Sequence, residues 1–289
     1  MRKFAFCICL AITSLTFAKT YYVATNGNDS NPGTFTQPWA TWGKAFTSTL
    51  VNAGDTVFIR GGVYNITVTN GSGYGVTRSG TANDWIVYAN YPGEIPILDC
   101  SAAIPSGQYN SGVGGSSRSG GNYVKFKGLT VRNVLQRRTD VMVWASGFGC
   151  ENGNFKFENC YSQSVINMTS ATAVGGFVGI DECTKASGNK YYSNCYANTT
   201  ILGAGTTKKG FCGSRVDGCT STQTNCLWNK EISDIEEDTL LPTDNGLIDN
   251  KMRDNNYLMN DFNYSTDYWF FKPYYYPRLK WENTYYPKT

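Results

Sequence analysis

Three times between Gly147 and Trp228 the chain follows a Gly-Phe element with an Asn-Cys element. The first kind is Gly147-Phe148-Gly149, Gly175-Gly176-Phe177-Val178-Gly179 and Gly210-Phe211-Cys212-Gly213. The second is Asn159-Cys160-Tyr161, Asn194-Cys195-Tyr196 and Asn225-Cys226-Leu227-Trp228. Successive phenylalanines lie 29 and 34 residues apart, and successive Asn-Cys pairs 35 and 31. A period of this size belongs to stacked units, each of which buries its apolar face only against its neighbours. The stretches between are short and β-patterned, with no long amphipathic helix. The expected fold is therefore all-β: a right-handed parallel β-helix, or β-solenoid. The competing arrangement is a β-sandwich in which the repeat is coincidental. The solenoid requires Phe148, Phe177 and Phe211 to lie inside, one above another.

Upstream, turn signals alternate with short apolar runs. Tyr21-Tyr22-Val23, Asp55 to Ile59, Trp85 to Ala89, Ile95 to Leu98 and Asn122 to Val134 read as strands. Trp39 to Leu50 has helical spacing, and the Gly/Ser-rich residues 106–121 read as a flexible loop. Met1 to Ala18 has a basic start, an apolar stretch too short to span a bilayer comfortably, and small residues at Thr16 and Ala18. It reads as a secretory signal peptide. No later apolar stretch is long enough to cross a membrane.

Export makes the cysteines informative. Two of the ten sit in the leader, leaving Cys100, Cys150, Cys160, Cys183, Cys195, Cys212, Cys219 and Cys226. An even number in an exported chain points to disulfides, and no CxxC pair suggests zinc. Bridges within each repeat would join Cys150 to Cys160, Cys183 to Cys195 and Cys219 to Cys226. The recurrence of these pairs favours that arrangement. An inward ladder of Cys160, Cys195 and Cys226 is the alternative, since adjacent coils about 4.8 Å apart suit a disulfide.

The chain contains no histidine, which removes Ser-His-Asp and Cys-His catalysis and imidazole metal sites. Lys+Arg is 25 against 22 for Asp+Glu, with no basic run, so nucleic acid is not an expected partner.

Tyr21-Tyr22-Val23, Asn26-Gly27-Asn28-Asp29, Asn31-Pro32-Gly33-Thr34, Ala53-Gly54-Asp55-Thr56-Val57 and Arg60-Gly61-Gly62-Val63-Tyr64 resemble the start of secreted β-helix proteins. The likeness is closest to the family nine pectate lyases and covers about residues 20–135. Residues 147–281 resemble the GLUG repeats of bacterial surface proteins, through the Gly-Gly-Phe-Val-Gly and Asn-Cys-Tyr elements and the ending Tyr276-Pro277-Arg278-Leu279 with Trp281. The resulting division is a signal peptide at 1–18, a lyase-like start at 19–135, GLUG-like repeats at 136–230 and a carboxyl-terminal cap at 231–289. In that last segment Tyr264, Tyr268, Trp269, Phe270, Phe271, Tyr274, Tyr275, Tyr276 and Trp281 are expected to close the solenoid's open end, with any exposed rings free to stack on sugars.

The lyase resemblance implies calcium held by carboxylates, with a Lys or Arg as base for proton removal beside a uronate carboxylate. The residues do not supply that pattern. Asp140, Glu151, Glu158, Asp181, Glu182 and Asp217 are scattered, and only Asp181 and Glu182 adjoin. Adjacent strand residues face opposite ways. Lys185 and Lys190 read as solvated loop charges, as does the acidic group of Asp234, Glu236, Glu237, Asp238, Asp244 and Asp249. No catalytic residue is carried over, and calcium is the one metal the resemblance suggests. The expectation is a secreted or cell-surface protein that binds extracellular polysaccharide without its own catalysis. A calcium-dependent polysaccharide lyase and a structural adhesin are the alternatives.

Overall fold

The computed structural model describes residues 18–66, 73–102, 109–113, 121–134, 144–151, 153–167, 173–182, 188–202, 208–215, 219–235, 246–260, 264, 269–270 and 278–279. The residues read as a signal peptide lie outside them except for Ala18.

The described chain coils into a stack of parallel strands. One seven-stranded sheet takes, in order, Thr20–Val23, Thr56–Ile59, Ile86–Asn90, Val124–Lys127, Phe155–Glu158, Gly188–Ser193 and Cys219–Thr224. A second takes Gly62–Asn65, Pro96–Asp99, Thr130–Arg132, Tyr161–Gln163, Tyr196–Ala197, Leu227–Asn229 and Gly246–Leu247. A third is built on Trp144–Glu151, flanked by Tyr109–Val113, Ala173–Gly175 and Val178–Glu182, then by Lys208–Lys209 and Cys212–Arg215. The first two sheets run without a break across residue 135, from the strands at 124–132 to those at 155–163.

Because the coils stack in register, each inward position becomes a column of like residues. In the first sheet Tyr88, Phe126, Phe157 and Tyr192 stack with ring centroids 5.7, 5.2 and 5.3 Å apart. In the third, Phe148, Phe177 and Phe211 are fully buried and stack at 4.8 Å for both steps. The expected phenylalanine column is therefore present. Burying each such ring is worth about 1.5–3 kcal/mol.

The Asn-Cys element makes the corner between the first and second sheets. Asn159, Asn194 and Asn225 adopt φ of 51°, 51° and 53°, a left-handed conformation that asparagine tolerates better than most residues. Gly128 holds the same corner one coil earlier at φ 65°. This corner divides the single alternating run expected at 122–134 into two strands. The asparagine side chains bond along the stack, Asn194 Nδ2 to Asn159 Oδ1 at 3.4 Å and Asn225 Nδ2 to Asn194 Oδ1 at 3.1 Å. The glycines beside the phenylalanines have a separate purpose: a Cβ on Gly210 would sit 2.0 Å from Trp228 Cδ1.

Two expectations change. The Gly/Ser-rich loop contains a strand, Tyr109–Val113, whose Val113 is fully buried and pairs with Phe148. Small residues allow close coil contact there, and Val113 supplies the apolar anchor. The described part of the carboxyl-terminal segment extends and flanks the second sheet. Gly246–Leu247 adds one rung beyond Leu227–Asn229, while Met252, Leu258, Tyr264 and Trp269 pack sideways on Tyr161, Tyr196 and Leu227. Those three point outward from the second sheet and are apolar, so they need a lateral cover.

Candidate functional site

Among the described residues the carboxylates singled out above form no metal-ligating cluster, and Asp140 and Asp217 lie outside those residues. Asp181 and Glu182 end the strand Val178–Glu182, whose register sets Asp181 opposite Cys150 and Arg215, and Glu182 opposite Glu151. The juxtaposition is thus between coils rather than along the chain. Lys185 lies outside the described residues. Lys190 is not a solvated loop charge: it is fully buried in Gly188–Ser193, with Nζ donating to the Gly153 carbonyl at 2.9 Å over the Phe155 ring. Asp234 is the exposed left-handed C-cap of the helix Lys230–Ser233, and Asp249 opens the helix Asp249–Met252. Glu236, Glu237, Asp238 and Asp244 lie outside the described residues. Among the described residues no three metal-ligating side chains converge.

Cys160, Cys195 and Cys226 stand in one fully buried column below Leu129 and are not joined by disulfides. Burial pushes Cys160 and Cys195 well above the usual thiol range. Cys150 and Cys219 are placed by their backbone, in Trp144–Glu151 and Cys219–Thr224. Cys183 lies outside the described residues.

Of the carboxyl-terminal aromatics, Tyr264 and Trp269 do not face solvent, while Tyr268, Phe271, Tyr274, Tyr275, Tyr276 and Trp281 lie outside the described residues. Tyr264 and Trp269 are buried against each other at 5.0 Å. Solvent-facing rings lie instead on the outer face of the first sheet. One outward column there carries Val87, Lys125, Lys156, Tyr191 and Thr222, and its neighbour carries Lys127, Glu158, Ser193 and Thr224. Trp85 and Tyr123 flank them, edge to face at 5.5 Å. Lys156 Nζ lies 4.4 Å from the Trp85 ring centroid and 5.4 Å from that of Tyr191. Lys125 pairs with Glu158 at 2.8 Å.

Earlier coils of the same face are more aromatic. Tyr22, Phe35, Phe58 and Tyr91 contact one another at 5.2 to 6.2 Å, and the Arg60 guanidinium rests on Phe35 and Tyr91. Glu94 holds Arg60 through Nε at 2.8 Å to each oxygen. Partial burial works to raise the Glu94 pKa, but the Arg60 and Gly61 donors outweigh it and keep it below the usual range.

The face was legible as alternation. In Val124-Lys125-Phe126-Lys127 and Phe155-Lys156-Phe157-Glu158 every second residue is apolar and buried, so the others must face out. What the alternation does not reveal is that the lysines of successive coils align.

Chemically, the molecule is a parallel β-helix with a cationic and aromatic outer face. A family model, Pel9A-like, right handed beta helix region, matches residues 21–231. The chain belongs to that family, and the match runs through the lyase-like start and the Gly-Phe and Asn-Cys repeats alike. No curated protein matches the sequence. Among solved structures, a rhamnogalacturonan lyase is 19% identical with a TM-score of 0.47, covering 73% of this chain and 68% of its own. The pectate lyase Pel9A is 19% identical with a TM-score of 0.37, over 74% and 64%. The GH136 lacto-N-biosidase from Eubacterium ramulus is 12% identical with a TM-score of 0.37, over 72% and 58%. No helix among the described residues is long and apolar enough to cross a membrane.

Proposed function

We propose that this protein is exported and binds acidic polysaccharide along the outer face of its first sheet, without cleaving it. The observation behind this is the alignment of Lys125 with Lys156, and of Lys127 in the next column, beside Trp85, Tyr123 and Tyr191 on one face. Ring faces pack on the C–H face of a sugar, and ammonium groups attract its carboxylates. The columns run along the solenoid axis, which suits a linear chain. The Gly-Phe and Asn-Cys coils, read as GLUG-like, extend the scaffold that presents this face.

Affinity electrophoresis tests it. The protein should be retarded by polygalacturonate and not by a neutral glucan, and added salt should weaken the effect. A Lys125→Ala, Lys127→Ala, Lys156→Ala variant should migrate freely. Equal migration of the unaltered protein in both gels, or full retardation of the variant, would sink the idea. Binding to a protein surface instead would mark a structural adhesin.

One observation favours a second reading, a calcium-dependent lyase acting by β-elimination. The backbone register sets Glu182 opposite Glu151 on the neighbouring coil, and calcium takes its ligands from residues of this type. Ultraviolet absorbance for unsaturated product, on polygalacturonate with calcium, should stay flat. A rising signal abolished by Glu182→Gln would replace binding with catalysis.

A further inference from the structure

A groove of about 400 Å³ crosses several coils at the far edge of the second sheet, away from the lysine face. Arg132 and Gln163 are in register there on successive coils, with Asp99 one coil before. Asp99 is buried and accepts from Arg132 Nε at 2.8 Å, Asn133 Nδ2 at 3.0 Å and the Ser101 N–H at 2.9 Å. Burial alone would raise the Asp99 pKa, but its donors, Ser101 foremost, hold it below the usual range. Asp99 therefore stays charged and fixes the guanidinium by one edge.

Among the described residues neither Nη of Arg132 has an acceptor, and the side chain is 32% exposed where it lines the groove. A guanidinium locked at Nε, with its terminal nitrogens open, is prepared for a planar oxyanion. Further along the groove, Asn198 Oδ1 is buried and has no hydrogen-bond partner among the described residues, an acceptor in want of a hydroxyl. The walls include Val165 and Ile232, which are 44% and 37% exposed. The lining thus offers a carboxylate clamp, a hydroxyl acceptor and an apolar wall.

We infer that this groove is a second binding site, for the carboxylate and hydroxyls of an acidic sugar of one or two rings. A volume of about 400 Å³ suits a ligand of that size. The site does not depend on the lysine face, and either can fail alone.

Isothermal titration with galacturonic acid and with digalacturonate tests it, with galactose and sulfate as comparison probes. Gln163 is exposed, so Gln163→Glu leaves the core intact while placing a negative charge beside Arg132. That variant should weaken digalacturonate binding about tenfold or more. Lys156→Ala should leave this binding unchanged, and Gln163→Glu should leave retardation by long polygalacturonate unchanged. Arg132→Lys should weaken binding as well, because one ammonium cannot serve both Asp99 and a ligand. Galactose binding as tight as galacturonic acid, sulfate as tight as digalacturonate, no binding of either acidic sugar, or no effect of Gln163→Glu would overturn the assignment.

Discussion

Phe177→Ala probes the solenoid at its centre. Phe177 is fully buried between Phe148 and Phe211, both at 4.8 Å, with Phe157 and Tyr192 edge-on at 6.0 and 6.1 Å. Removing a buried phenyl ring costs about 3–5 kcal/mol, less where neighbours can collapse into the space. Collapse is restricted here. Phe148 N–H bonds the Phe177 carbonyl, and Phe177 N–H the Phe211 carbonyl, each at 3.0 Å, so the coil spacing is fixed by the backbone. The loss should therefore fall near the upper end, about 4 kcal/mol. Urea unfolding followed by near-ultraviolet circular dichroism measures it as a shift in midpoint at constant slope. Val165→Ala, at an exposed position on the same solenoid, should stay within about 0.5 kcal/mol. A loss for Phe177→Ala below about 1 kcal/mol, with the slope unchanged, would show that the ring column does not hold the coils together. A lower slope would instead mean that coils unfold separately, as stacked repeats can.

Three other outcomes follow from the same geometry. Asn194→Ala should cost about 1–2 kcal/mol, through left-handed strain and two lost ladder bonds, while Asn194→Gly should cost less in the same urea titration because glycine relieves the strain. Cys160, Cys195 and Cys226 should resist alkylation in native protein at pH 8 and react promptly in denaturant; fast native labelling, or a cross-linked Cys150–Cys160 peptide in a non-reducing map, would contradict the buried thiol column. Asp99 and Glu94 have lowered folded pKa values, so the stability they supply is complete above the ordinary carboxylate range, about 4, and is lost as pH falls through those lower values. Urea midpoints between pH 7 and 3 should fall accordingly, and Asp99→Asn should flatten the fall; an unchanged slope in that variant would count against the Asp99 contribution.

The fold class was legible in the repeat. A Gly-Phe and Asn-Cys repeat cannot bury its aromatic rings within one unit, so the units must stack, and Phe148, Phe177 and Phe211 must form a column. Alternation in Val124-Lys125-Phe126-Lys127 likewise dictated which residues face water. Register was not legible, because it is set by the lengths of the loops between coils, and those vary. Only the folded stack decides that Lys125 lies beside Lys156, that Glu182 stands opposite Glu151, and that Asp99 reaches back to clamp Arg132. Lys190 makes the same point in reverse: its charge reads as a surface residue until the strand's phase turns it inward onto the Gly153 carbonyl. The carboxyl-terminal aromatics look like an end cap in sequence, yet Tyr264 and Trp269 pack beside the outward apolar column of Tyr161, Tyr196 and Leu227, which would otherwise face water.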